Sequence, residues 1–263
     1  MNIVPQHPLR TIFSAIKAFF DDDTTYYAAS LSFFTIFSFL PILALSIVFI
    51  SYFNVLTPYT NTFMNFVVEN LDPTHSEQFS TLISGFLSNT NSLGSLGIGY
   101  MLFIFIMFFK DYEYIISKLH HTKKRPIYIA FILYLIVLLV LPLMFATFIY
   151  ILKLYDHYVL NLIITYSSMW LFFIIVFKVS VNKKTYFKPL VLSSLATMIT
   201  LSITKNLFIF YIMVNKTYST IYGSFSTALF FFLWIYISWV IYLYGMKIFH
   251  TLNKEQQKKL LEE

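Results

Sequence analysis

Apolar residues run through the chain in six long stretches, over residues 28–53, 93–109, 127–152, 162–177, 189–214 and 223–248, with polar residues gathered between them. Crossing about 30 Å of hydrocarbon takes roughly 20 such residues in a helix. Strands with open edges would leave backbone N–H and C=O groups unpaired in lipid, so each stretch is expected to be helical. The second and fourth are short and are expected to gain a turn. The pattern predicts an all-α, polytopic membrane protein, a single domain over residues 1–263 with six transmembrane helices.

Two segments outside these stretches also repeat at helical spacing. Leu9, Ile12, Phe13, Ile16 and Phe19, with Arg10 and Lys17 beside them, predict an amphipathic arm over residues 1–25, lying on an anionic cytoplasmic leaflet. Asp21, Asp22 and Asp23 end the arm and can cap the first span. In residues 54–92, Tyr59, Phe63, Phe66 and Val67 share one helical face, and Phe79, Leu82, Ile83 and Phe86 share another. Asp72–Pro73 separates the two halves, and Thr74 with Glu77 matches a capping box. A periplasmic helical hairpin is expected there, as a roof or as a lid over a cavity. Residues 249–263 are expected to form a cytoplasmic tail.

Charge sets the orientation. Of the 18 Lys and Arg residues, 15 lie in the arm, the loops after spans two and four, and the tail with Lys247 at the end of span six; the opposite side holds Lys153 and Lys216, and Lys205 lies within span five. The positive-inside rule then places both termini in the cytoplasm, and the bacterial inner membrane is the expected location. Composition agrees, with 58% hydrophobic and 11% charged residues. The net charge of +6 falls where topology requires it, so membrane lipids rather than nucleic acid are the expected partner. Residues 1–20 lack the apolar run and cleavage site of a signal peptide.

Polar residues inside a span are costly, so their arrangement carries information. Ser193, Thr197, Thr200, Thr204 and Tyr211 fall within about 60° on span five. Such a stripe serves tight helix packing or lines a path for substrate. Lys205 lies about 24 Å along the same span. It either snorkels to the outer surface or offers a cation to an anionic group, with Asn206 adjacent. Span one places Ala28, Ser32 and Thr35 on one face before Pro41, which is expected to kink it. In span six Thr227, Trp234, Ser238 and Gly245 form a seam within about 40°, equally suited to packing within or between subunits. Lys110, Asp111 and Glu113 read as an interfacial charge cluster closing span two.

The chain has no Cys, and its six His residues include only one adjacent pair, His120 and His121, whose rings diverge on a helix. No HExxH, GxSxG or phosphate-binding loop is present. No cofactor, metal or enzymatic activity is expected.

Two stretches carry a resemblance. Residues 22–41, from Asp22 and Asp23 through Ala28 and Ala29 to Pro41, resemble the first-span signature of the YihY/BrkB family of bacterial inner-membrane proteins. Tyr222, Gly223 and Ser224, followed by Trp234 and then Gly245, resemble its last-span signature. Met246 and Lys247 depart from the small or acidic residue the family often has after that glycine. The resemblance implies a six-span protein with a long outer loop, a virulence-factor association, an old ribonuclease label and a transporter role. The residues here offer the ribonuclease label no metal cluster, acid–base pair or basic groove. The reading is a transporter of an anionic or amphipathic, lipid-like solute; the alternative is a non-transporting envelope scaffold.

Overall fold

The computed structural model describes residues 22–52, 94–154, 158–215 and 225–262, with Thr81, Gly85 and Gly223. Residues 1–21 of the predicted arm and most of the predicted outer hairpin lie outside the described residues, and residues 22–25 open the first helix. Within them the chain is all helical, in six helices: α1 (Asp22–Tyr52), α2 (Gly94–Leu119), α3 (Ile127–Leu154), α4 (Tyr158–Ser180), α5 (Phe187–Val214) and α6 (Phe225–Glu262). Among the described residues, three segments are long and apolar enough to cross a membrane, Val159–Ser180, Phe187–Val214 and Ala228–Glu262, and Ile127–Val137 is a shorter apolar one.

Two helices run well past their apolar stretches. In α2 the helical period continues beyond residue 109, because Tyr112, Ile115 and Ile116 keep facing the core while Lys110, Tyr114 and Lys118 face outward. α2 then stops in a Schellman turn, in which the Thr122 N–H donates to Ser117 O (2.9 Å) and the His121 N–H to Lys118 O (3.3 Å). His121 takes the left-handed position usually given to glycine, at φ 50°. α6 continues through the predicted tail to Glu262. Its Asn253, buried, accepts from the Tyr186 N–H (2.9 Å) and donates to Lys184 O (3.1 Å), which ties down the α4–α5 loop and fixes where α5 begins.

One apolar core gathers side chains from all six helices. Leu31 of α1, Phe105 of α2, Tyr134 of α3, Phe177 of α4, Leu190 of α5 and Leu243 of α6 all belong to it. Pro41 is accommodated inside α1 and is buried. α5 approaches α6 closely at Gly245, where an added Cβ would collide with the Thr197 hydroxyl and lie 3.1 Å from the Phe177 ring. Further along, Phe208 of α5 stacks on Trp234 of α6 (5.4 Å between ring centres).

Candidate functional site

The polar residues that converge most closely lie where α2, α3, α4 and α6 meet. Glu113 on α2 is buried and pairs with Arg125 from the α2–α3 loop at 3.1 Å. The Arg125 backbone N–H also donates to Glu113 Oε1 (3.1 Å), and its guanidinium donates to Val179 O (2.8 Å) at the end of α4. Tyr134 Oη of α3 donates to Glu113 Oε2 (2.6 Å). One carboxylate therefore joins two helices and a loop, and its charge is matched on both oxygens.

A chain of hydroxyls runs beside it. Ser180 Oγ donates to Val176 O, so its remaining bond to Tyr112 Oη at 2.5 Å has the tyrosine as donor. Tyr112 then accepts from Tyr242 Oη on α6. Trp239, one turn before Tyr242 on the same face, donates its Nε1–H to Thr35 Oγ1 of α1 (2.8 Å). The aromatic rings that carry these groups line a partly open cavity of about 310 Å³, whose wall includes Phe109, Tyr134, Phe173, Leu201, Trp239 and Tyr242. Because the hydroxyls bond to one another, the surface facing the cavity is wholly apolar.

A second recess, of about 400 Å³, lies between α1, α2 and α3, lined by Phe34, Ile106 and Phe131 and edged by Lys110, Asp111 and Lys124. Phe109 lines both recesses. It stacks on Tyr134 with ring centres 4.4 Å apart and planes at 15°, so an aromatic pair leaning on Glu113 separates a charged groove from an apolar cavity.

At the nearby end of α2, His120 is buried, with Nε2 unpartnered among the described residues. Its ring lies 5.3 Å from that of His250. Burial, reinforced by the charge of His250, Lys183 and His121, pushes its pKa down to about 3, so it is neutral at physiological pH. No group of three His, Cys or carboxylate side chains among the described residues is arranged to hold a metal.

The residues singled out in spans one and five are placed differently. Ser32, Thr35, Ser193, Thr197 and Thr200 all donate to the carbonyl four residues back in their own helix. Ser193 and Thr197 are buried, Thr197 against Gly245 of α6, whereas Thr200, Asn206 and Tyr211 are exposed and Thr204 and Lys205 partly buried. The packed face drifts round α5 by about 60° from Ser193 to Phe208, which leaves Thr200 and Tyr211 beyond its edge. Tyr211 accepts from Asn215 Nδ2 (3.1 Å). Lys205 lies one turn beyond Leu201, a residue of the cavity wall. Of the signature residues, Ala28 and Trp234 are buried, Asp23 and Ala29 are exposed, and Gly223 sits at φ 53°. The side chains of Asp22, Tyr222 and Ser224 lie outside the described ones.

The family model described as virulence factor BrkB matches residues 15–263. The chain belongs to the BrkB family. Among its curated relatives, the UPF0761 membrane protein of Alteromonas mediterranea is 24% identical, over 99% of this chain and 93% of its own length. That of Pseudoalteromonas translucida is 27% identical over 89% and 83%. A Legionella pneumophila member is 26% identical over 93% of this chain and 62% of its own. No solved structure matches. The chain is thus a membrane protein of the BrkB group, and both ends of the predicted signature fall within the matched region.

Proposed function

We propose that this BrkB-family protein is a six-span transporter of the bacterial inner membrane, with both termini in the cytoplasm, that moves an anionic or amphipathic, lipid-like solute. The observation that carries the reading is the pair of recesses meeting at Phe109, one edged by Lys110 and Lys124 and the other wholly apolar. A solute with a charged head and an apolar body needs both environments, side by side. The path continues past Leu201 towards Lys205, a cation deep in α5 that suits the head group. We read the protein as a non-enzyme.

Fluorescently labelled anionic phospholipid in vesicles provides the test, with the outer leaflet bleached by dithionite. Vesicles containing the protein are expected to lose more fluorescence than protein-free vesicles, and Lys205→Met is expected to abolish the excess while leaving folding intact. Identical bleaching with and without protein would reject lipid transport. Unchanged transport by Lys205→Met would remove Lys205 from the path.

The scaffold reading draws on one observation, the tight packing of Thr197 against α6 at Gly245. It predicts that envelope proteins co-purify with the chain and that its vesicles translocate nothing.

A further inference from the structure

We propose that the groove between α1, α2 and α3 is a binding site for one anionic phospholipid, with its phosphate between Lys110 and Lys124 and an acyl chain along the floor formed by Phe34, Ile106 and Phe131. The site holds whether the lipid is cargo or a fixed component, so it goes beyond the transport reading.

The groove carries more positive than negative charge. Glu113 is neutralised by Arg125, and Asp111, which accepts from Ser30 Oγ (2.9 Å), forms no ion pair among the described residues, so Lys110 and Lys124 outweigh the one remaining carboxylate. Lys110 and Lys124 are exposed and have no carboxylate partner among the described residues. The Lys124 ammonium stands 4.0 Å from the centre of the Tyr114 ring, which steadies it at the rim without neutralising it. Below these two cations the wall is aromatic and aliphatic, and the groove's volume of about 400 Å³ exceeds what a phosphate alone would fill.

A free anion would satisfy the rim and leave the apolar floor of the groove unfilled. A zwitterionic lipid would cover the floor and return only part of the charge. A phospholipid with a net negative head group satisfies both. Each lysine near such a surface contributes roughly a fivefold gain in affinity, so the pair together contribute about thirtyfold.

The test is native mass spectrometry of the purified full-length chain after equilibration with phosphatidylglycerol or phosphatidylcholine. One phosphatidylglycerol per chain is expected to be retained in preference to phosphatidylcholine. Lys110→Gln with Lys124→Gln is expected to weaken it about thirtyfold. Lys118→Gln with Lys123→Gln removes the same charge from exposed lysines outside the groove and is expected to leave retention unchanged. Equal retention of the two lipids would overturn the site, as would equal weakening by both variant pairs or equal competition by inorganic phosphate. A phosphatidylglycerol with a photoreactive acyl chain adds a readout that needs no variant. Labelling of α1, α2 and α3 around the floor supports the site, and labelling confined to other helices contradicts it.

Discussion

Replacing Glu113 with leucine is expected to lower stability by about 3–5 kcal/mol, the largest effect of any single change considered. The substitution leaves the Arg125 guanidinium, whose side chain is 11% exposed, bonded to backbone carbonyls at the end of α4 with its carboxylate partner gone. A charge in that position is far costlier than the intact pair is beneficial, since burial strips it of water. The pair also fastens the α2–α3 loop to the end of α4, so the loss is expected to loosen that whole face. Titration with denaturing detergent, followed by helical circular dichroism, measures it. Arg125→Met in the Glu113→Leu background is expected to recover part of the loss, because the unmatched charge is gone. A Glu113→Leu protein within about 1 kcal/mol of wild type would mean that water reaches Arg125 and that the centre is not buried as described.

Gly245→Ala is expected to cost about 1–3 kcal/mol, although a methyl group inside a helix would otherwise be favourable. The added Cβ meets the Thr197 hydroxyl, whose hydrogen is bonded to Ser193 O at 2.8 Å, and on the other side the Phe177 ring at 3.1 Å. Neither neighbour is the loose end of a long side chain; both are buried. The helices must therefore part slightly along α5 and α6. A double-mutant cycle isolates the cause: Thr197→Ala removes the colliding oxygen, so the double variant is expected to be more stable than Gly245→Ala alone. Additive losses in thermal unfolding would show that the two positions are not in contact.

The helices were legible because hydrophobic runs of this length have few alternatives in lipid. Their ends were less so. Beyond residue 109 the apolar residues of α2 alternate with Lys110, Asp111, Glu113 and Lys118, which reads as a loop boundary until Tyr112, Ile115 and Ile116 are seen to share a buried face. The extension of α6 had only a sparse apolar signal, Phe249 and Leu252 among polar residues, and the contact that ties it to the α4–α5 loop is a polar one, carried by Asn253. The α5–α6 contact was half visible. Thr197 stood out in the polar stripe and Gly245 in the packing seam, but nothing in the sequence joined them.

The central polar residues were the least readable. Glu113 was visible only as part of an interfacial cluster, because the residue that neutralises it lies across a helix end and a tight turn. Tyr112, Ser180 and Tyr242 come from three helices widely separated in the chain, and tyrosine is so common here that the two of them carry no sequence signal. Their one local clue is spacing, since Phe105, Phe108, Tyr112, Ile115 and Ile116 follow one helical face of α2.

The central claim is that the charged groove and the apolar cavity are two parts of one path divided by Phe109. It is tested most directly by comparing labelled-lipid translocation in vesicles containing wild-type, Phe109→Ala and Phe109→Trp proteins, with rates normalised to folded protein. The account predicts faster translocation when the ring is removed and slower translocation when it is enlarged. Equal rates in all three proteins would contradict it, and would return Phe109 to an ordinary place in the aromatic core.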